Sequence, residues 1–159
     1  SFALETFFEF FPDARCIWTH RDPLAMIPST LQLTYDVYDP IQKLPHAHHS
    51  QRMLKAMRAG FDAFMSSPFL SDPRIHHVRF QDFMADQIGV IKGAYDHFSM
   101  PFTPEAEAAM RLWLADPANR PDRYGKFKYN ATELGLDSKV ISEMFSDYTD
   151  RFNLVERGK

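Results

Sequence analysis

Apolar positions along this chain recur at two periods, and together they lay out a helix-rich α/β pattern. Leu4, Phe7, Phe8 and Phe11 follow i, i+3, i+4, i+7, so the spacing predicts a helix over residues 2–11 that buries one aromatic face. Pro12-Asp13 ends it. Ala14–Thr19 then reads as a buried strand, followed by a turn at His20-Arg21-Asp22 and a helix opening at Pro23. Asp22 suits the N-cap, and Pro23 suits the first helical position, where a missing N–H costs nothing. Pro28 falls beyond the first turn and predicts a kink near Ser29.

Residues 34–47 carry Tyr35, Tyr38 and two prolines without sustained periodicity, and are expected to form a long loop. A helix resumes from Ser50 to Met65, with Met53, Leu54, Met57, Phe61 and Phe64 on its buried side. Ser66–Arg74 reads as a turn-rich connector and Ile75–Phe80 as a second strand. The stretch between the two strands is long enough for the crossover that a parallel pair requires. Asp82 is expected to introduce a helix with Ile88, Ile91, Tyr95 and Phe98 on one side. Thr103-Pro104-Glu105 opens another, running through Ala115 with Ala106, Met110, Trp113 and Leu114 as its apolar stripe. Residues 116–136 look irregular, and a last helix from Asp137 buries Ile141, Phe145, Tyr148 and Phe152. Many helices and two strands make a poor independent sheet. The pattern is that of part of an α/β domain whose remaining strands lie upstream.

Composition narrows this picture only modestly. The 159 residues suit one domain, and 45% hydrophobic content with 15 Phe and 8 Met supplies an aromatic-rich core. A net charge of −3 argues against a general polyanion or nucleic-acid binder, so any phosphate site must be local. The single cysteine, Cys16, lies in a predicted strand and excludes an internal disulfide, which fits a reducing, cytoplasmic setting. No apolar run reaches the length of a membrane span. The chain opens without Met into an amphipathic helix, as a processed protein or a fragment would.

Candidate chemistry gathers at the first strand-to-helix turn. Ligands in open parallel sheets bind at the carboxyl ends of strands, and helix N-termini favour anions. Arg21 stands at such a junction, and Ser29, seven residues after Asp22, projects from nearly the same helical face. A guanidinium and a hydroxyl facing one pocket make a phosphate clamp. The bland alternatives are an arginine paired with an acid and a serine bonded to a carbonyl one turn back. His20 is expected to pack or bond locally at the strand end. His-Arg-Asp also invites comparison with a kinase catalytic loop, but the asparagine needed five residues after the Asp is replaced by Ile27. His46, His48, His49, His76 and His77 suggest a solvated or substrate-facing cluster more than a metal site, because adjacent histidines on a helix diverge by about 100°. Asn130-Ala131-Thr132 is a glycosylation sequon by pattern alone.

The segment FPDARCIWTHRDP, with Ser29 eight residues after its arginine, resembles the 3′-phosphate-binding segment of sulfotransferases that use 3′-phosphoadenosine 5′-phosphosulfate (PAPS), particularly the bacterial-type branch. His77–Asp82 resembles that family's strand ending in Tyr-x-Asp, and Tyr95–Pro101 its following helix end. Gly125–Asp137 and Phe145–Phe152 resemble two later family segments, so the similarity runs in order over almost the whole chain.

The resemblance implies a P-loop-like parallel sheet flanked by helices, of which residues 1–159 are the C-terminal, helix-rich part. It implies a sulfotransferase that moves a sulfuryl group from PAPS to an acceptor hydroxyl or amine without a metal. Arg21 and Ser29 would hold the 3′-phosphate, Phe80 would contact adenine, and Arg123, Lys126 and Lys128 in the basic loop would add cationic contacts. The acceptor would be a small molecule, sugar or lipid, walled partly by residues 34–49, and a homodimer stays open. Two departures stand out. The adenine-contacting aromatic, often Tyr, is Phe80, and nothing resembles the family's 5′-phosphosulfate loop or its catalytic base, which would belong to an upstream part of the same domain. Catalytic residues are therefore unassigned, and the 159 residues alone would lack the transfer machinery. Two other classes remain as alternatives: a P-loop nucleotide kinase-like phosphotransferase, and a non-catalytic α/β or helical protein-interaction module.

Overall fold

Local chemistry sets where most elements begin, and long-range packing decides how far they run. The computed structural model describes residues 4–42, 45–120 and 134–154. In order these form α1 (Leu4–Phe10), β1 (Cys16–His20), α2 (Pro23–Gln42), α3 (His46–Met65), a 3-10 turn (Pro68–Ser71) and β2 (Ile75–Arg79). There follow α4 (Phe80–Ala85), α5 (Gln87–His97), α6 (Pro104–Ala115), a second 3-10 turn (Pro117–Asn119), α7 (Ser138–Met144) and α8 (Ser146–Phe152). Caps fall where the sequence placed them. Asp22 Oδ1 accepts the Leu24 N–H at 2.9 Å, and Thr103 Oγ1 accepts the Ala106 N–H at 3.2 Å ahead of a helix that ends at Ala115.

β1 and β2 pair in parallel, in a register running from Cys16 opposite Ile75 to His20 opposite Arg79. One face of the pair packs under α3 and α8, where Trp18 stacks on Phe64 with ring centroids 4.4 Å apart and His20 stacks on Phe152 at 3.6 Å. Beside this lies the main core, in which Ile27 and Leu31 of α2 meet Leu134, Ile141 and Phe145, with Met53, Leu54, Met57 and Phe61 of α3 around them. Phe61 joins the two regions, packing edge-on against both Phe145 and Tyr148.

Four expectations need correction. Residues 34–42 are helix, because α2 continues through Pro28 to Gln42 and only 43–45 separate it from α3. Ile27 and Leu31, both fully buried against α7 and α3, hold the helix together across positions whose intrinsic propensity is poor. The helix expected from Asp82 is two: α4 starts at Phe80, and Asp86 breaks the run by turning its carboxylate onto the Gly89 N–H at 2.8 Å and capping α5 instead. The last helix is also two, divided at Phe145, where Arg58 donates to the Met144 carbonyl and grips Asp147 at 2.8 Å. Finally, α1 buries Phe8 alone: it packs on the Phe69 ring at 5.5 Å and the Arg74 guanidinium at 3.9 Å, whereas Phe7 and Phe11 lean on each other at 5.4 Å and stay exposed.

Candidate functional site

The parallel register brings two of the sequence-predicted residues together. His20 pairs with Arg79, so the next residues, Arg21 and Phe80, leave the carboxyl ends of β1 and β2 side by side. The Arg21 guanidinium lies over the Phe80 ring, 4.8 Å from its centroid, an arrangement that orients the cation without neutralising it. Arg21 is exposed and makes no ion pair among the described residues. Its neighbour Asp22 turns the other way: its carboxylate and carbonyl accept the first N–H groups of α2, so the helix terminus is already capped from within. Any anion at this edge must therefore be held by side chains more than by the α2 terminus.

Ser29 sits on α2, half-buried, and its hydroxyl bonds to no group among the described residues. Its neighbours on the helix behave differently, for Thr30 donates to the Met26 carbonyl at 3.0 Å and Thr34 to the Leu31 carbonyl at 3.0 Å. Arg123, Lys126 and Lys128 lie outside the described residues. The segment that carries them leaves an exposed Arg120 and is followed by Leu134, which is fully buried on α2 against Ile27 and Leu31.

Beneath Arg21 is a cavity of about 320 Å³ lined by Trp18, Met57, Phe61, Phe64 and Tyr148, with Arg21 as its cation. Ser29 and Phe80 do not line it. His20, only 1% exposed, is bonded at Nδ1 with the hydroxyl of the cavity-lining Tyr148, 2.7 Å away. The other ring nitrogen, Nε2, meets His77 Nδ1 at 2.8 Å, and His77 Nε2 donates to the Leu70 carbonyl at 2.9 Å. Burial, and then the neighbouring His77, push His20 down to about 3, so its ring is neutral at physiological pH. Burial likewise raises Tyr148 above the usual phenol range.

His20 thus bonds across the fold to α8 and β2, where local packing or bonding was expected. His77 was expected in a solvated or substrate-facing cluster, and Tyr148 on the buried side of the last helix. A signal for the pairing existed: Trp18/His20 and Ile75/His77 each place a histidine two residues after an apolar one, on the same side of adjacent strands. Among the described residues the histidines do not gather into one cluster. His49 is buried and bonds to Thr34 at 3.0 Å, since the helical course of 34–42 turns it inward, whereas His76 meets His97 with ring centroids 4.7 Å apart.

Comparison with known proteins agrees in family and fold. A model described as "Sulfotransferase family" matches residues 1–104. The chain is 24% identical over 156 residues to omega-hydroxy-beta-dihydromenaquinone-9 sulfotransferase Stf3 of Mycobacterium bovis and, at the same identity, to that of Mycobacterium tuberculosis. The match covers 96% of this chain and 38% of theirs, so the chain spans under half the length of those relatives. Among solved structures, sulfotransferase STF9 from Mycobacterium avium superposes with a TM-score of 0.77 at 29% identity, covering 98% of this chain and 40% of that one. Sulfotransferase STF1 from Mycobacterium tuberculosis H37Rv gives 0.72 at 22% identity, over 92% and 37%. The fold is thus α/β and P-loop-like.

Proposed function

The chain belongs to the sulfotransferase family, and on that premise we propose that residues 1–159 form the C-terminal part of a sulfotransferase domain and hold the 3′-phosphate end of PAPS. The observation that carries this is the meeting of an unpaired guanidinium, Arg21, with an aromatic ring, Phe80, at the carboxyl edge of a parallel strand pair. Arginine offers a phosphate two parallel N–H donors, and the Ser29 hydroxyl, unspent on its own helix, adds a directional donor. Arg123, Lys126 and Lys128, which precede the buried Leu134 in the chain, would add positive charge. Phe80 carries Arg21 on one side, leaving adenine the opposite face or the ring edge.

The domain as a whole would transfer the sulfuryl group from the phosphosulfate to an acceptor hydroxyl or amine, in a small molecule, sugar or lipid. The acceptor oxygen or nitrogen forms the new bond to sulfur, its proton goes to a base, and 3′,5′-adenosine bisphosphate leaves. The base and the groups that stabilise the transferring sulfuryl would come from a part of the domain outside these 159 residues. Among the described residues no helix is long and apolar enough to cross a membrane.

Titration with adenosine 3′,5′-bisphosphate tests the reading. Arg21→Ala is expected to weaken binding by roughly tenfold to a hundredfold, the equivalent of a charged hydrogen-bonded contact of about 1.5–3 kcal/mol. Binding that is unchanged by Arg21→Ala removes Arg21 from the site and the reading with it.

A further inference from the structure

Next to Arg21 in sequence, His20 joins a chain of hydrogen bonds, buried at Tyr148 and half-buried at His77, that draws on β1, β2, α8 and the first 3-10 turn, and for neutral rings only one placement of protons satisfies it. The Leu70 carbonyl can only accept, so His77 Nε2 carries its ring's proton and His77 Nδ1 is bare. A bare Nδ1 can only accept, so His20 Nε2 must donate to it. His20 Nδ1 is then the acceptor, and the Tyr148 hydroxyl donates. No carboxylate pairs with either histidine among the described residues, and Phe152 and Phe64 close over His20.

The consequence for Arg21 follows from its place in the chain. A five-residue parallel pair with apolar contacts alone can slip, whereas fixed donors and acceptors are satisfied in a single register. Here they tie the last residue of β1 to β2, to the turn before β2 and to α8. On the other side of Arg21, Asp22 is held by its capping bonds to α2. The backbone of Arg21 is therefore fixed from both neighbours, and its side chain has only its own rotamers left to settle over Phe80. Tyr148 and Arg21 also line the same cavity.

We propose that the Tyr148–His20–His77 chain is a positioning device for Arg21, holding the carboxyl end of β1 so that the guanidinium meets the 3′-phosphate. The proposal rests on the reading of Arg21 as a phosphate ligand. Its specific signature is coupling: losing the chain should matter only through Arg21, and only for a ligand that has a 3′-phosphate.

The test is a double-mutant cycle of Arg21→Ala and Tyr148→Phe in the full protein, titrated with adenosine 3′,5′-bisphosphate and with adenosine 5′-monophosphate. Tyr148→Phe is expected to weaken the bisphosphate roughly tenfold, as loss of an orienting partner typically does. It should leave the monophosphate unchanged and add nothing once Arg21 is alanine. If Tyr148→Phe has no effect, weakens both ligands alike, or adds its full loss to that of Arg21→Ala, the positioning role is overturned while Arg21 stays a ligand. Should Arg21→Ala itself leave bisphosphate binding intact, the ligand reading fails and the positioning role falls with it. A second readout needs no substitution: long-range ¹H–¹⁵N spectra of the histidine rings should show both His20 and His77 protonated at Nε2. A proton on His20 Nδ1 overturns the chain as drawn.

Discussion

The two faces of the β1–β2 pair are finished differently. On one, Trp18 and His20 lie under α3 and α8, in rings stacked at 4.4 and 3.6 Å and hydrogen bonds whose donors and acceptors all find partners. On the other, Ile17 is 56% exposed and faces a cavity of about 530 Å³ bordered by Tyr95, Phe98 and Met100. Parallel strands are ordinarily buried on both faces. The packed face is thus closed along both strands, whereas the other is closed over β2, where Val78 is buried and His76 meets His97, and open over β1 at Ile17. Arg21 and Phe80 stand at the edge between them.

Breaking the packed face should produce the largest effect. Phe145 is fully buried, meets Phe61 edge-on at 5.0 Å and lies under the Arg58 guanidinium at 5.4 Å. Phe145→Ala is expected to cost about 3–5 kcal/mol, a large share of a typical domain's stability, and denaturant unfolding would read it as a lower midpoint. A cost below about 1 kcal/mol would mean that this cluster is not the core the packing describes.

The next effect is electrostatic and depends on pH. Arg58 holds Asp147 below the usual carboxylate range, first by hydrogen bonding and then by its charge, working against the desolvation of a partly covered group. A carboxyl whose folded value is depressed contributes stability that is complete above the unfolded value of roughly 3.9 and is lost as pH falls through the folded value. Stability should therefore drop as pH falls below about 4, and Arg58→Met should flatten that acid limb. Because Asp147 is half exposed, the change should also shrink in high salt. An acid limb of unchanged slope in Arg58→Met would show that the clasp across α3, α7 and α8 carries no pH-dependent stability.

How much of this was legible in the sequence depended on how local the cause was. The strands to within two residues, the break at Arg21-Asp22 and the α6 boundaries followed from runs of apolar residues, prolines and capping side chains within a few positions of each other, although His20 proved to end β1 and Phe80 to open α4. The helix through 34–42 did not, because its prolines speak against it locally and the bond that ties it, Thr34 to His49 on α3, comes from another element. Asp86 and Phe145 were read through as helix interior, since the bonds that break the helices come from a side chain turning back and from Arg58 on another element. Arg21 and Phe80 were each singled out as candidates, but their contact needs the register between two strands. The Tyr148–His20–His77 chain joins residues 57 and 128 positions apart, a distance over which periodicity carries no information.

The smallest expected effect sharpens the comparison most. Ile17→Thr keeps the β-branched shape that a strand favours while removing apolar surface from the open face. With Ile17 more than half exposed, the substitution should change the stability of these 159 residues by no more than about 0.5 kcal/mol. Where further domain structure covers that face, the same substitution removes a buried methyl and places a hydroxyl in an apolar contact, which should cost about 1–3 kcal/mol. Measuring Ile17→Thr in the 159-residue chain and in a longer form thus reports whether the open face is an interior surface. Equal, small costs in both would mean that Ile17 faces solvent in either form, and that the sheet is completed along its edges without being covered on this side.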